Sequence, residues 1–209
     1  MRVYKIPEAS VMRLVVYSRL LGQLMAEGVD TVSSRDIARC AGVSSAQVRK
    51  DLAYFGAFGT RGVGYQVERL YDSLREILGQ DKQRRIMIVG VGRLGWALAC
   101  YPGFYNKGYT VKAAVDVNPM LIGKAAGPVV VADIKRMEEL IAAQEIEMAL
   151  ITVPAAAAQE VADRLVAAGS RAILNFAPCV IRVPHGVQLR NVDLTVNMEM
   201  LSFNLLQNS

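Results

Sequence analysis

The stretch IMIVGVGRLGWALAC, Ile86 to Cys100, decides how the chain is to be read. Four apolar residues, Ile86 to Val89, form a strand-length run that leads straight into Gly90-x-Gly92-x-x-Gly95, and Leu94 to Cys100 has the composition of a helix that Pro102 ends. In the order strand, glycine turn, helix, each glycine has a job. The first makes the tight turn, the second lets backbone approach a pyrophosphate, and the third lets helix pack closely on strand. The helix N-terminus adds N–H donors for an anion.

A lone glycine pattern of this kind is weak, but the next apolar run strengthens it. That run, Val111 to Val115, ends in Asp116, 21 residues past Gly95, where a ribose-binding carboxylate belongs. A carboxylate there accepts hydrogen bonds from ribose hydroxyls and repels a 2′-phosphate. No arginine stands next to it at Val117 or Asn118, which favours NAD(H) over NADP(H). Coenzyme A and other adenine nucleotides can use such a turn too, and so can a Rossmann-like fold that binds nothing.

Downstream, the pattern alternates as a doubly wound parallel sheet requires: helix 133–143, strand 148–152, helix 156–168, strand 172–176. Two strand ends carry proline, Thr152-Val153-Pro154 and Asn175-Phe176-Ala177-Pro178. They lie on the sheet edge where such folds bind ligands, and are candidate walls for the nicotinamide half.

Upstream, the first eighty residues read differently, and the net charge of +5 is denser there. Apolar residues at Val11, Leu14, Val15, Leu21, Leu24 and Met25 mark one face of a long helix from Pro7 to Glu27, which Gly28 stops. Ser33 with Asp36, and Ser44 with Gln47, are capping patterns that open two further helices, to about Ala41 and to Tyr54. Only Gly42 and Val43 separate them. So tight a pair is a helix-turn-helix, whose second member offers its first residues to a major groove. Here those residues are Ser45, Gln47, Arg49 and Lys50. Glutamine suits adenine, arginine suits guanine, and either cation neutralises phosphate. A basic helical hairpin of no special function fits the same pattern.

After Phe55 the run GAFGTRGVGY alternates turn residues with Phe58, Val63 and Tyr65, as a short hairpin would, and lifts Arg61 toward its tip. That is a wing. A phosphate-binding loop of the Walker type needs Gly-Lys followed by Ser or Thr, which Gly62-Val63-Gly64-Tyr65 lacks. Helical spacing returns from Glu68 to Leu78, and QDKQRR reads as a linker.

Several classes are excluded or weakened. No apolar run approaches the ~20 residues of a membrane-spanning helix, and the start shows no secretory signal, so the cytoplasm is expected. Cys40, Cys100 and Cys179 are odd in number and widely spaced, which suits neither disulfides nor a metal site. An NAD-dependent dehydrogenase would need a proton donor or base beside the nicotinamide. The single histidine, His185 in the loop VPHG, is a poor candidate. A plain nucleotide-binding interaction protein would leave the helix-turn-helix unexplained.

Taken together, PEASVMRLVVYSRLL, SSAQVRKDLAYFGAFGTRGVGY, IVGVGRLGWALACYPGF, VDVNP, ALITVP and LNFAP closely resemble the Rex family of bacterial redox-sensing transcriptional repressors, nearly end to end. The resemblance implies an α/β homodimer. An N-terminal winged helix-turn-helix domain (1–80) would precede a Rossmann-like doubly wound parallel sheet that binds NAD(H) (81–192), with a C-terminal helix exchanged between subunits (193–209). It implies repression of fermentation and anaerobic-respiration genes at double-stranded, palindromic operator DNA until a high NADH to NAD+ ratio releases the dimer. The nucleotide would be sensed and not turned over, with no catalytic residue and no metal. By the same resemblance Arg49, Lys50 and Arg61 would contact DNA, with Ser45, Gln47, Gly62 and Tyr65 beside them. Gly90, Val91, Gly92, Arg93, Leu94, Gly95 and Asp116 would hold the nucleotide, bordered by Val117, Thr152, Val153, Pro154, Asn175, Ala177 and Pro178, with Tyr101 near the nicotinamide. Arg19 of the first helix would pair with Asp193 ahead of the last one in the released form. The run Leu194 to Leu206 has little polar face and is expected to be buried.

Overall fold

The protein is described by a computed structural model covering residues 6–56, 58–60 and 62–207. The chain divides into two compact units, 1–82 and 83–209.

In the first unit, α1 (Glu8–Ala26) is followed by β1 (Thr31–Val32), α2 (Ser34–Ala41), α3 (Ser45–Ala53), β2 (Gly59–Thr60), β3 (Gly64–Gln66) and α4 (Val67–Ile77). The capping serines act as expected: Ser33 Oγ accepts the Asp36 N–H at 3.2 Å and Ser44 Oγ that of Gln47 at 3.1 Å. Gly42, at φ 65° and ψ 32°, ends α2 in the left-handed conformation, and the chain then turns into α3. β2 and β3 pair antiparallel as the wing. The sequence does not reveal β1, which pairs with the far side of β3 and ties the wing to the helices. The core joins Leu14, Tyr17 and Leu21 of α1 to Ile37, Val48, Leu52, Leu70 and Leu74. The buried face of α1 therefore runs through Ser10, Tyr17 and Ser18, while Val11 and Met25 are exposed.

The second unit is a seven-stranded sheet. Its strands are β4 (Arg84–Val89), β5 (Tyr109–Asp116), β6 (Ala125–Ala126), β7 (Val129–Asp133), β8 (Met148–Ile151), β9 (Ala172–Asn175) and β10 (Gln188–Asn191), in the order β10-β9-β8-β4-β5-β7-β6. All pairs are parallel except β6 with β7. Without that edge strand the order is the 3-2-1-4-5-6 of a dinucleotide-binding sheet read from β7. The helices are α5 (Arg93–Ala99), α6 (Pro102–Tyr105), α7 (Met137–Ala143), α8 (Ala155–Ala167) and α9 (Leu194–Gln207).

Alternation along β4 explains the two-sided packing: Ile86 and Ile88 join the layer of Ala99 and Trp96, while Met87 and Val89 join Met137, Ile141 and Leu165. On β5 the register slips by one between Val111 and Ala113. This bulge at Lys112 puts Val111 and Ala114 on the first layer and Ala113 and Val115 on the second. β4 begins at Arg84, so the expected linker loses its last two residues to the sheet. Sequence reading passes over β6, β7 and β10, and β10 carries a single apolar residue, Leu189.

Of the apolar residues of α9, none is buried: Leu194, Val196, Met198, Met200, Leu201, Phe203, Leu205 and Leu206 are 49% to 78% exposed in the single chain.

Candidate functional site

These elements build two sites, one in each unit. In the second, the sheet order reverses between β4 and β8, and a cleft of about 590 Å³ opens at the carboxyl ends of these strands. Gly90, at φ 89°, turns the chain there, and a Cβ on it would come within 2.9 Å of the Thr152 carbonyl. A Cβ on Gly95 would press on the Gly90 carbonyl oxygen and lie 2.8 Å from Thr152 Oγ1. Thr152 Oγ1 in turn donates to Gly90 O at 2.5 Å. The glycine turn is thus clamped between β8 and α5, and two of its glycines are demanded by the protein's own packing. Gly92 differs: a Cβ there meets no atom within 4 Å, so the space beside it is open to a ligand.

Asp116 closes the far side. It is 8% exposed, and its carboxylate accepts the Val91 N–H at 2.5 Å and the Asn118 N–H at 2.8 Å. Two oxygens offer about four acceptor positions, so capacity remains for hydroxyl groups. Gly90, Gly92, Leu94, Asp116, Val117, Thr152, Val153, Pro154 and Pro178 all line the cleft.

Other expected residues sit elsewhere. Val91 is buried behind the turn, its N–H already committed to Asp116, and Gly95 serves packing. Asn175 is wholly buried: its amide donates to the carbonyls of Ala177 and Cys179 and to Asn191 Oδ1, and its Oδ1 accepts the Ala177 N–H. These bonds shape the loop that carries Phe176 and Pro178 to the cleft, and Ala177 is buried within it. Arg93 is exposed at the start of α5. Tyr101, 56% exposed, stacks edge-on against Phe104 at 5.2 Å and is not among the cleft's lining residues. Sequence reading misses Leu121, Ile134 and Ala157 as walls, since nothing distinguishes them from ordinary apolar positions.

In the first unit, Arg49 and Lys50 are exposed on α3, and Arg49 donates to Ser34 Oγ at 3.1 Å, which holds its guanidinium against the start of α2. Ser45 and Gln47 are half-buried on the same helix. Gln47 Nε2 donates to Asp51 Oδ1 at 2.9 Å. Arg61 lies outside the described residues, and Gly62 is exposed beside it. Tyr65 is 8% exposed and packs in the core of this unit, where burial pushes the phenol up from its ordinary pKa, and it lines the same cavity as Arg49 and Gly62. Arg19 is exposed on α1. Asp193 caps α9, accepting the N–H of Thr195 at 2.8 Å and its hydroxyl at 2.6 Å, which hold the carboxyl below its usual range.

Among the described residues no group of His, Cys, Asp and Glu could hold a metal ion, and no helix is long and apolar enough to cross a membrane.

Comparison with known proteins agrees with this division of the chain. The family described as "CoA binding domain" matches residues 81–179, and "Putative DNA-binding protein N-terminus" matches residues 5–53. The redox-sensing transcriptional repressor Rex of Syntrophomonas wolfei is 55% identical over 209 residues, covering 100% of both chains. That of Desulfitobacterium hafniense is 50% identical over 98% of each. Among solved structures, a repressor called RSP in complex with beta-NAD+ and operator DNA has a TM-score of 0.94 at 40% identity, covering 98% of this chain and 94% of that one. RSP in complex with beta-NADH has a TM-score of 0.89 at 38% identity, covering 98% and 96%. With identities of this size over the full length and a TM-score of 0.94 to the operator-bound RSP structure, the chain belongs to the Rex family of redox-sensing transcriptional repressors.

Proposed function

We propose that this chain is a cytoplasmic, homodimeric repressor that holds operator DNA through its winged unit and lets go when NADH fills its Rossmann cleft. One observation carries the reading: a single chain joins a helix-turn-helix with a basic second helix to a glycine-turn cleft closed by a buried acid. The named relatives support it, since RSP is described with operator DNA, with beta-NAD+ and with beta-NADH.

On the DNA side, Arg49, Lys50 and Arg61 serve as base or phosphate contacts, and Ser45, Gln47 and Gly62 flank them. On the nucleotide side, the backbone beside Gly92 accommodates the pyrophosphate and Asp116 takes the ribose hydroxyls. Thr152, Val153, Pro154 and Pro178 border the nicotinamide half, with Tyr101 near it. A carboxylate at that place disfavours a phosphate on the adenosine ribose, and therefore disfavours both NADP(H) and coenzyme A. The apolar surface of α9 is covered in the dimer by exchange with the partner chain. This gives the boundaries 1–80 for DNA, 81–192 for nucleotide and 193–209 for exchange. The nicotinamide supplies a redox state to be read, and no residue here is assigned to turning it over.

The test is fluorescence anisotropy on a palindromic operator selected from random duplexes, titrated with NADH and NAD+. Release by NADH at concentrations where NAD+ leaves the complex intact is the expected result. Binding of NADH with no effect on DNA, or steady oxidation of NADH in the presence of a small carbonyl compound, would overturn the reading.

A further inference from the structure

The most buried charge in the winged unit belongs to no DNA contact named above. Asp51 sits on α3 with its side chain 0% exposed, and four groups converge on it or its partner. Arg13 of α1 donates to it twice, Nε to Oδ2 at 2.6 Å and Nη2 to Oδ1 at 2.8 Å. The Tyr17 hydroxyl donates to Oδ2 at 2.9 Å, and Ser10 Oγ steadies Arg13 from behind at 3.1 Å. The remaining bond comes from half-buried Gln47, one helical turn earlier on α3, whose Nε2 donates to Oδ1 at 2.9 Å.

Chemistry makes this last bond directional. An ionised carboxylate only accepts, so the Gln47 amide must turn its nitrogen toward Asp51 and its carbonyl oxygen away. One amide proton is consumed, and the other stays beside the outward Oε1. A donor next to an acceptor, held in one plane, is the pair that an adenine edge takes through N7 and N6. A free glutamine can flip by half a turn and present the reverse order.

We propose that Asp51 is the specificity-setting positioning residue of the recognition helix: anchored by Arg13 and Tyr17 of α1, it locks the Gln47 amide in the orientation that reads adenine. The inference rests on the operator-binding reading above. Asp51 touches no base; it acts through Gln47.

The experiment measures affinity for a panel of operators, each changed at one base pair. Gln47→Ala identifies the pair that Gln47 reads, with roughly tenfold of its preference lost there. Asp51→Asn should lose a similar preference at the same pair and nowhere else, and combining the two should cost no more than either alone. Removing only one partner of a buried ion pair strands the other. The variant Arg13→Met/Asp51→Leu, which removes both charges, therefore carries the test should Asp51→Asn fail to fold. A folded Asp51 variant that keeps the preference, or that weakens all operators alike, overturns the proposal, as does Gln47→Ala with every preference intact. A DNA-free readout separates this failure from that of the operator reading. In the wild-type chain one Gln47 side-chain amide proton should exchange slowly by NMR, and both should exchange fast in the Asp51 variant. Fast exchange of both in the wild type also overturns it.

Discussion

Asp116 Oδ2 accepts the N–H of Val91 at 2.5 Å, so the acid at the end of β5 is itself a buttress of the glycine turn that ends β4. The carboxylate has two duties: it satisfies a buried backbone donor, and it presents its remaining lone pairs to the cleft.

Asp116→Ala should accordingly fail twice. It strands the buried Val91 N–H, at a cost of about 1–3 kcal/mol. It also removes the acceptor proposed for the ribose, which should weaken NADH at least tenfold and narrow the preference over NADPH. Denaturant melts read the first effect and calorimetry the second. An unmutated protein that binds NADPH as tightly as NADH would contradict the recognition half, and a variant melting like wild type the structural half.

Two glycines of the turn should separate under alanine. Gly95→Ala puts a Cβ against the Gly90 carbonyl and should destabilise the unit outright. Gly92→Ala meets no protein atom, and its φ of −65° suits alanine, so the fold should stand while NADH affinity falls. Melting curves and NADH titration of the two proteins check this. Wild-type NADH affinity in Gly92→Ala would sink the assignment of the open space to the ligand.

How far the sequence can be read depends on the range over which each signal acts. The serine caps, the glycine turn and the strand ending in Asp116 are local devices whose residue types are dictated by a few neighbouring backbone groups, and the structure forms them where the spacing says. The burial of Tyr65 and Asn175 is not legible in the sequence for one reason: their side chains are polar at one end, and only the fold decides whether that end finds water, ligand or a buried partner. Strand β10 is a product of context, since Gln188–Asn191 has no pattern of its own and becomes a strand by pairing with β9. Asp51 looks like an ordinary acid on a basic helix, because Arg13, 38 residues earlier, leaves no mark in the sequence around it.

The Arg13–Asp51 pair makes stability depend on acidity. Burial raises the carboxyl of Asp51, but bonds from Arg13, Gln47, Tyr17 and Ser10 outweigh it and hold the group at about 2 against an ordinary 3.8. A depressed carboxyl contributes its stability above the unfolded value and loses it as pH falls toward the folded one. The winged unit should therefore lose about 2 kcal/mol between roughly pH 4 and pH 2. Arg13→Met/Asp51→Leu should flatten that part of the profile. Melts from pH 6 to pH 2 decide, and parallel profiles for wild type and variant would refute it.

A ligand shifts an equilibrium only by its differential affinity for two states, so NADH must make contacts in the released dimer that it lacks in the bound one. Reciprocity then requires operator DNA to weaken NADH binding. Taking the population from 1:99 to 99:1 needs about 10,000-fold differential affinity. An exposed pair such as Arg19 with Asp193 supplies no more than about fivefold of that and is screened by salt. Such a pair could therefore only tune the switch, and most of the differential affinity would have to come from nicotinamide packing and the cover proposed for α9. Testing the pair needs care, because Asp193 also caps α9 through Thr195, and Asp193→Ala would remove the cap together with the charge. Asp193→Asn keeps a capping oxygen and loses only the charge. Arg19→Ala and Asp193→Asn should both stay on the operator at a severalfold higher NADH concentration, with the difference shrinking as salt rises. Direct NADH titration of the DNA-free proteins should show both binding it normally. Unchanged NADH-induced release in both variants would remove the pair from the switch, and equal NADH affinity for free and operator-bound dimer would end the two-state account altogether.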